Sequence, residues 1–160
     1  MFLFSFYTRG MSFIDMAYLK KTDLQNGILT YRRRKTGQML FIRWEKSMQE
    51  IIDKYPVTGN VYLLPIIKKE TNERLVYRNA LRLVNNKLKD ISKLIGLQSR
   101  LTMYVARHSW ASIAKSQNIP LSVISEGMGH DSETTTRIYL ASLDNSMIDN
   151  ANKLILKKLE

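Results

Sequence analysis

The sequence contains no cysteine, only two histidines and only three prolines. Without cysteine there are no disulfides, thiolate nucleophiles or thiolate metal sites, and two histidines are too few for a histidine-rich metal centre. The apolar opening segment, residues 1–7, is too short to cross a membrane and has no basic leader. The missing cysteine fits a reducing compartment, and we expect a cytoplasmic protein that does not bind a membrane.

Acidic residues are few compared with basic ones. Lysine and arginine number 25 against 14 aspartates and glutamates, which gives a net charge of +11. An excess of this size makes a polyanion such as nucleic acid the first partner to consider. Many small proteins are basic for solubility alone, so the placement of the basic residues has to decide between the two explanations.

A length of 160 residues suits one compact domain. Hydrophobic periodicity predicts mostly helices. Asn26-Gly27, between β-prone stretches, predicts the first turn of a three-stranded antiparallel meander. We therefore expect a mainly α fold with one small β-sheet, of the α+β class. Helices are predicted as two short ones in residues 1–18, one from Trp44 to Tyr55, a long one through Leu81 to Ile95, one capped by Thr102, a short one around Ser122 to Glu126, one that holds Tyr139, and one over residues 147–159; residues 61–67 are predicted to be irregular.

The last third of the chain carries the most informative pattern. Arg107-His108 lies on a predicted helix, Gly129-His130 forms a glycine-bearing turn, and Tyr139 lies on the next predicted helix. A phenol that attacks a phosphodiester needs cationic donors to hold the non-bridging oxygens. Tyr139 is therefore our candidate nucleophile for DNA strand cleavage. The alternative is a half-buried packing residue, since the chain has eight tyrosines.

This order of motifs resembles the catalytic domain of the tyrosine recombinases, the family of phage and conjugative-transposon integrases, over nearly the whole chain. The family has an arginine after the first helices, a lysine in a β-hairpin, a His-x-x-Arg motif, a Gly-His pair, and a tyrosine nine residues past that histidine. The matching residues are Arg9, Lys35, Arg107, His130 and Tyr139. Each piece alone is common, but together in this order and spacing they are specific.

One position departs from the family pattern. Where the family has the histidine of His-x-x-Arg, this chain has Tyr104. A phenol can donate a hydrogen bond to a phosphate oxygen, but with an ordinary pKa of about 10 it is a poor proton acceptor at neutral pH. We expect a variant active site that remains active.

The resemblance implies a role for each of these residues. Arg9 and Arg107 clamp the non-bridging oxygens of the scissile phosphate, and His130 hydrogen-bonds a phosphate oxygen. Lys35 gives a proton to the departing 5′ oxygen. Tyr139 forms a covalent 3′-phosphotyrosine, which retains the free energy of the broken bond, so another DNA end can reverse the step. The implied reaction uses no cofactor, no metal ion and no ATP.

The basic run around the predicted hairpin turn is expected to bind DNA. Within it, Arg34 is the alternative to Lys35 as the general acid that protonates the departing 5′ oxygen. The alternative is a solvated basic strand end. The run consists of Arg32, Arg33, Arg34 and Lys35.

Three further residues are given supporting roles. Asp15 is expected to pair with and orient Arg9, as a buried acid does in the family. His108 is interpreted as a core residue that can help to fix Arg107. Glu126 either pairs with an active-site cation or is simply an exposed helix glutamate.

By the same resemblance, residues 1–160 correspond to a C-terminal catalytic domain, and we expect a fragment without the N-terminal core-binding domain and the first catalytic-domain residues. The apolar stripe from Met147 to Leu159 is expected to dock on a neighbouring protomer. That predicts a monomer when free and a homotetramer on double-stranded DNA. The predicted function is a site-specific recombinase or integrase of a prokaryotic mobile element. Competing interpretations are a non-catalytic nucleic-acid-binding module and a type IB topoisomerase-like enzyme.

Overall fold

The structure, a computed structural model, describes residues 1–56, 61–67 and 72–141. The helices in these ranges are α1 (Phe2–Tyr7), α2 (Phe13–Ala17), α3 (Lys46–Ile52), α4 (Glu73–Leu94), α5 (Met103–Ser116), α6 (Leu121–Met128) and α7 (Glu133–Ala141). The strands are β1 (Leu24–Gln25), β2 (Ile28–Arg32) and β3 (Met39–Arg43), preceded by a 3-10 turn over Lys21–Asp23. The mainly helical α+β prediction is confirmed.

The three strands form one antiparallel sheet in the order β1-β2-β3. Asn26 and Gly27 both have positive φ, 50° and 73°, as the predicted hairpin turn requires. In β2 and β3 the buried and exposed side chains alternate, and Leu29 is paired with Ile42 on the inner face. The sheet therefore turns one apolar face to the core, and the β2–β3 loop extends beyond it.

Several boundaries differ from the prediction. Helix α3 ends at Ile52 rather than at Tyr55: the Lys54 and Tyr55 N–H groups donate to carbonyls three residues back, and Pro56 disfavours the helical conformation at Tyr55. Thr102 precedes α5 but its side chain does not cap it; Asn85 on α4 accepts the Met103 backbone N–H at 2.9 Å instead. Residues 61–67 are irregular, as predicted, and make one bridge, Lys20 to Tyr62. The predicted helix over 147–159 lies outside the described residues.

The buried apolar side chains form two clusters. The larger one joins α1, α2, the sheet, α3, residues 61–67 and the middle of α4. The smaller one lies among α5, α6 and α7 and contains Ala111, Ile124, Met128 and Leu140. Helix α5 packs on α1 and α4 as well as on α6, so it connects the two clusters. No helix in the described ranges is both long and apolar enough to cross a membrane.

Candidate active site

A cavity of about 630 Å³ opens where α5, α7, the β2–β3 loop and the α6–α7 turn meet. Residues of α2 and α4 also line it, and its polar lining includes five residues that the motif pattern singles out, together with a further arginine. These residues are Arg33, Lys35, Tyr104, Arg107, His130 and Tyr139.

Arg107 lies on the buried side of α5, with 6% of its surface exposed. Its Nη1 donates to the Gly10 carbonyl and its Nη2 to the Met128 carbonyl, each at 2.8 Å. The backbone at Gly10 has φ +74°, and a Cβ there would lie 2.8 Å from the Arg107 Cα. Only glycine lets the α1–α2 turn approach α5 this closely. Burial lowers the pKa of Arg107, and the neighbouring Arg33 charge lowers it further.

His130 lies in the α6–α7 turn and is also buried. Its Nε2 is 3.0 Å from Arg107 Nη2, and its Nδ1 is 2.8 Å from the Thr136 Oγ1. Burial lowers the pKa of His130 to about 4, and the positive charges of Arg107, Arg33 and Lys35 contribute to that shift. The imidazole is therefore neutral at pH 7.

Tyr139, on α7, is surrounded by rings from α5 and from the α6–α7 turn. Its ring stacks on His108 at a centroid distance of 5.1 Å and meets His130 and Tyr104 edge-on at 5.6 and 6.3 Å. Burial raises the pKa of the Tyr139 phenol, and the neighbouring Tyr104 raises it further. Arg107 and Arg33 act in the opposite direction. The phenol is thus protonated at rest, but two cations favour its phenolate.

Arg33 reaches the cavity from the end of β2 and is 6% exposed. Its Nη1 donates to the carbonyl of Gly129. Gly129 has φ +64°, and a Cβ there would come within 3.0 Å of both the Leu40 and Arg33 side chains. Glycine at this position therefore lets the turn pack directly against the hairpin.

The β2–β3 loop is attached to the same turn by two more hydrogen bonds. Thr36 Oγ1 donates to the Gly129 carbonyl at 3.1 Å, and Gln38 Nε2 donates to the His130 carbonyl at 3.0 Å. Lys35, between these anchors, is exposed and lines the cavity. The Arg34 guanidinium instead lies over the Tyr18 ring, 3.7 Å from its centroid. Of Lys35 and Arg34, only Lys35 therefore lines the cavity beside Arg33 and Arg107.

The sequence pattern of the phage integrase family matches residues 7–146. The chain belongs to this family. Tyrosine recombinase XerC of Lactobacillus leichmannii is 25% identical over 142 residues, which are 84% of this chain and 47% of that protein. The chain thus spans about half the length of this curated relative.

Two solved structures share the fold of this integrase-family domain. A crystal structure of XerA recombinase matches with a TM-score of 0.64 at 20% identity, over 95% of this chain and 54% of the other. The Tn1549 transposon integrase in complex with transposon right end DNA matches with a TM-score of 0.61 at 13% identity, over 99% of this chain and 58% of the other.

The integrase-family domain departs from the expected site at Arg9. The Arg9 side chain does not line the cavity. Arg9 has φ 60°, and its Cδ lies 3.6 Å from where a Cβ on Gly127 would be, so the side chain lies close to Gly127 of α6. The second arginine of the cavity is Arg33, which we expected only to bind DNA at the surface.

Asp15 also has a different partner from the one expected. The buried carboxylate accepts hydrogen bonds from Ser12 Oγ at 2.6 Å and from the Arg34 backbone N–H at 2.9 Å. No ion pair joins it to Arg9 in the part of the chain that the structure describes. In this integrase-family domain Asp15 therefore holds the start of the β2–β3 loop rather than an arginine.

The remaining predicted residues, Tyr104, His108 and Glu126, differ in how closely they approach the cavity. Tyr104 is 57% exposed at the cavity mouth, and its ring meets His108 edge-on at 4.2 Å. His108 packs between Tyr104 and Tyr139, and burial lowers its pKa. The Glu126 side chain is exposed and forms no ion pair with any described residue. No group of three metal-ligating side chains occurs among the residues described.

Proposed function

We propose that this domain cleaves and rejoins double-stranded DNA through a covalent 3′-phosphotyrosine and that it acts as a site-specific recombinase or integrase. The observation that carries the proposal is one cavity whose lining includes a half-buried tyrosine, Tyr139, together with Arg33, Arg107 and Lys35. A nucleophilic phenol beside several cations matches the needs of phosphoryl transfer, in which catalysis is mostly positioning and charge stabilisation.

Arg33 and Arg107 are the proposed clamp for the scissile phosphate. Three of the five N–H groups of Arg107 are used by Gly10, Met128 and His130, and two have no partner among the described residues. Both guanidinium groups are buried and close enough for one to lower the pKa of the other. A phosphate between them would neutralise this repulsion and receive charge-assisted hydrogen bonds.

The proton steps follow from the same arrangement. Tyr139 gives its proton to solvent water as its oxygen bonds to phosphorus, and the two arginines stabilise the phenolate character that develops. As the bond to the 5′ oxygen breaks, Lys35 gives that oxygen a proton. Tyr104, at the cavity mouth, donates a hydrogen bond to the phosphate and is not the proton acceptor.

The partner that suits this chemistry is double-stranded DNA. The Tn1549 transposon integrase, a structural neighbour, is bound to transposon right end DNA. The net charge of +11 favours the same polyanion. We further propose a monomer in solution and a homotetramer on DNA in a prokaryotic cytoplasm. The C-terminal segment that we expect to join protomers lies outside the described residues.

Covalent capture tests the activity. The chain is incubated with duplexes of randomised sequence that carry a nick. The nick lets the short cleaved end diffuse away, and protein covalently linked to DNA is detected after denaturation. We expect an adduct from the wild type and none from Tyr139→Phe, because phenylalanine has no nucleophilic oxygen. Tyr7→Phe is the matched control, since Tyr7 is 38% exposed and does not line the cavity.

The same experiment separates the competing functions. Binding of the duplexes without any adduct would support a non-catalytic nucleic-acid-binding module. If the chain forms the adduct and relaxes supercoiled DNA but never joins two DNA partners, the result would support a topoisomerase-like enzyme. An undiminished adduct from Tyr139→Phe would exclude Tyr139 as the nucleophile.

A further inference from the structure

Thr136 is a buried polar residue that none of the steps above uses. It lies on α7, three residues before Tyr139, and none of its surface is exposed. Its Oγ1 is 2.8 Å from His130 Nδ1. Its neighbours Thr134 and Thr135 are exposed. One hydroxyl on the nucleophile's helix thus contacts the imidazole that faces Arg107.

The partners of His130 fix which nitrogen carries the hydrogen. Arginine can only donate, so His130 Nε2, 3.0 Å from Arg107 Nη2, must be the acceptor. A neutral imidazole has one N–H, which is then on Nδ1 and points at the Thr136 oxygen. Burial and the surrounding cations keep the ring neutral at pH 7. The threonine hydroxyl can accept this hydrogen and still donate elsewhere.

We propose that Thr136 is a positioning residue that holds His130 in the Nδ1–H tautomer, so that Nε2 accepts a hydrogen bond from Arg107 and orients its guanidinium in the cavity. In this tautomer Nε2 carries no hydrogen, so the hydrogen bond to a phosphate oxygen that the family resemblance implies for His130 would require the other tautomer. The contact in the structure is with Arg107, whose guanidinium His130 orients. The inference deepens the proposed function, and only its effect on cleavage rests on that function.

The arrangement also joins two parts of the site. Thr136 and Tyr139 share one helix, whereas His130 lies in the turn before it and Arg107 on α5. Seating of α7 therefore places the nucleophile and completes the hydrogen bond that fixes the clamp arginine. Without the hydroxyl, the Nε2–H tautomer would direct a hydrogen at Arg107 Nη2, and two donors would face each other.

Nitrogen-15 NMR of histidine-labelled chain tests the tautomer without DNA. With only two histidines, His108→Gln assigns the signals. We expect Nδ1 to be protonated and Nε2 unprotonated in the wild type and in Thr136→Ser. Thr136→Val, which keeps the shape but loses the hydroxyl, should move the population toward Nε2–H. Thr134→Val is the control and should leave the spectrum unchanged. A wild-type Nε2–H tautomer, or an unchanged Thr136→Val spectrum, would overturn the proposal.

Cleavage then tests the consequence. We expect Thr136→Val to slow adduct formation about tenfold, the scale of one lost hydrogen bond, with Thr136→Ser near the wild-type rate. Thermal unfolding is measured in parallel, and Thr136→Ser keeps the comparison valid if the valine variant folds poorly. A changed tautomer with an unchanged rate would refute the positioning role. A wild type that forms no adduct would refute the proposed function and leave the NMR result standing.

Discussion

At the scale of single residues, the proposed phosphate site depends on how two guanidinium groups are held. Arg107 is fixed by the carbonyls of Gly10 and Met128, and Arg33 by the carbonyl of Gly129. Each arginine is 6% exposed, so neither is freely solvated. Donors that are already oriented in a partly desolvated site stabilise developing charge without reorganising during the reaction.

Replacement of the arginines distinguishes Arg33 from Arg9. We expect Arg33→Ala to slow single-turnover cleavage by about 10²- to 10³-fold, the scale for loss of one donor to a developing oxyanion. Arg33→Lys keeps the charge but not the planar fork, and should recover only part of the rate. Arg9→Ala should slow cleavage less than about tenfold, because its side chain lies outside the cavity. Equal losses in both alanine variants would restore Arg9 to the clamp.

Sequence patterns predict the two arginines unequally. His130 and Tyr139 have the nine-residue spacing of the family pattern and Arg107 ends a short motif of its own, and all three line one cavity. Arg33 belongs to a run of four basic residues, and the run as a whole predicts only a basic surface that binds DNA. The alternation of β2 contains the missing signal, since Leu29, Tyr31 and Arg33 are all buried. Arg9 has no such local signal for or against the cavity: its side chain is not among those that line it, and its catalytic role stays a prediction from the family resemblance.

At the scale of elements, the β2–β3 hairpin is fastened at both sides of its loop. Arg33, Thr36 and Gln38 attach it to the Gly129-His130 turn, and Asp15 accepts the Arg34 backbone N–H. The Asn26-Gly27 turn was predictable because its signal is local. The Asp15 contact joins residues 19 positions apart, and no local pattern reveals which backbone group a buried acid will accept.

Loss of the Asp15 carboxylate should loosen this hairpin. Asp15→Ala leaves the Ser12 hydroxyl and the Arg34 N–H without their acceptor, so we expect the free energy of unfolding to fall by about 1–3 kcal/mol. The Arg34 amide should also exchange its hydrogen faster, as measured by NMR. Asp15→Asn is the matched control, because its carbonyl can still accept from Arg34. Unchanged Arg34 exchange in Asp15→Ala would contradict this role.

At the scale of the whole molecule, the site lies at the junction of the two apolar clusters. Arg107 on α5 contacts the α1–α2 turn through Gly10 and the end of α6 through Met128. His130 continues that network to α7 through Thr136. Because these polar links are buried, the packing of the clusters and the geometry of the site depend on each other. Protonation of His130 should therefore affect the stability of the whole chain.

The expected pH dependence has a definite sign. The pKa of His130 in the folded chain is about 4, below its ordinary value near 6.5, because of burial and the cations Arg107, Arg33 and Lys35, which the nearby Asp131 only partly offsets. Between these two pH values the unfolded chain binds more protons. The free energy of unfolding should therefore fall as the pH is lowered from about 6.5 to about 4. Above pH 6.5 this contribution is fully present.

Denaturant unfolding at a series of pH values measures this dependence. His130→Gln should give a flatter profile between pH 6.5 and 4 than the wild type, because glutamine does not titrate. His108→Gln is the control for the other histidine, whose pKa burial also lowers, and it should keep the part of the slope that comes from His130. Carboxylates that titrate in the same range contribute equally to all three proteins, so the difference between profiles isolates each imidazole. Parallel profiles for the wild type and His130→Gln would mean that His130 is not held neutral by the folded chain, and the fixed tautomer opposite Arg107 would lose its physical basis.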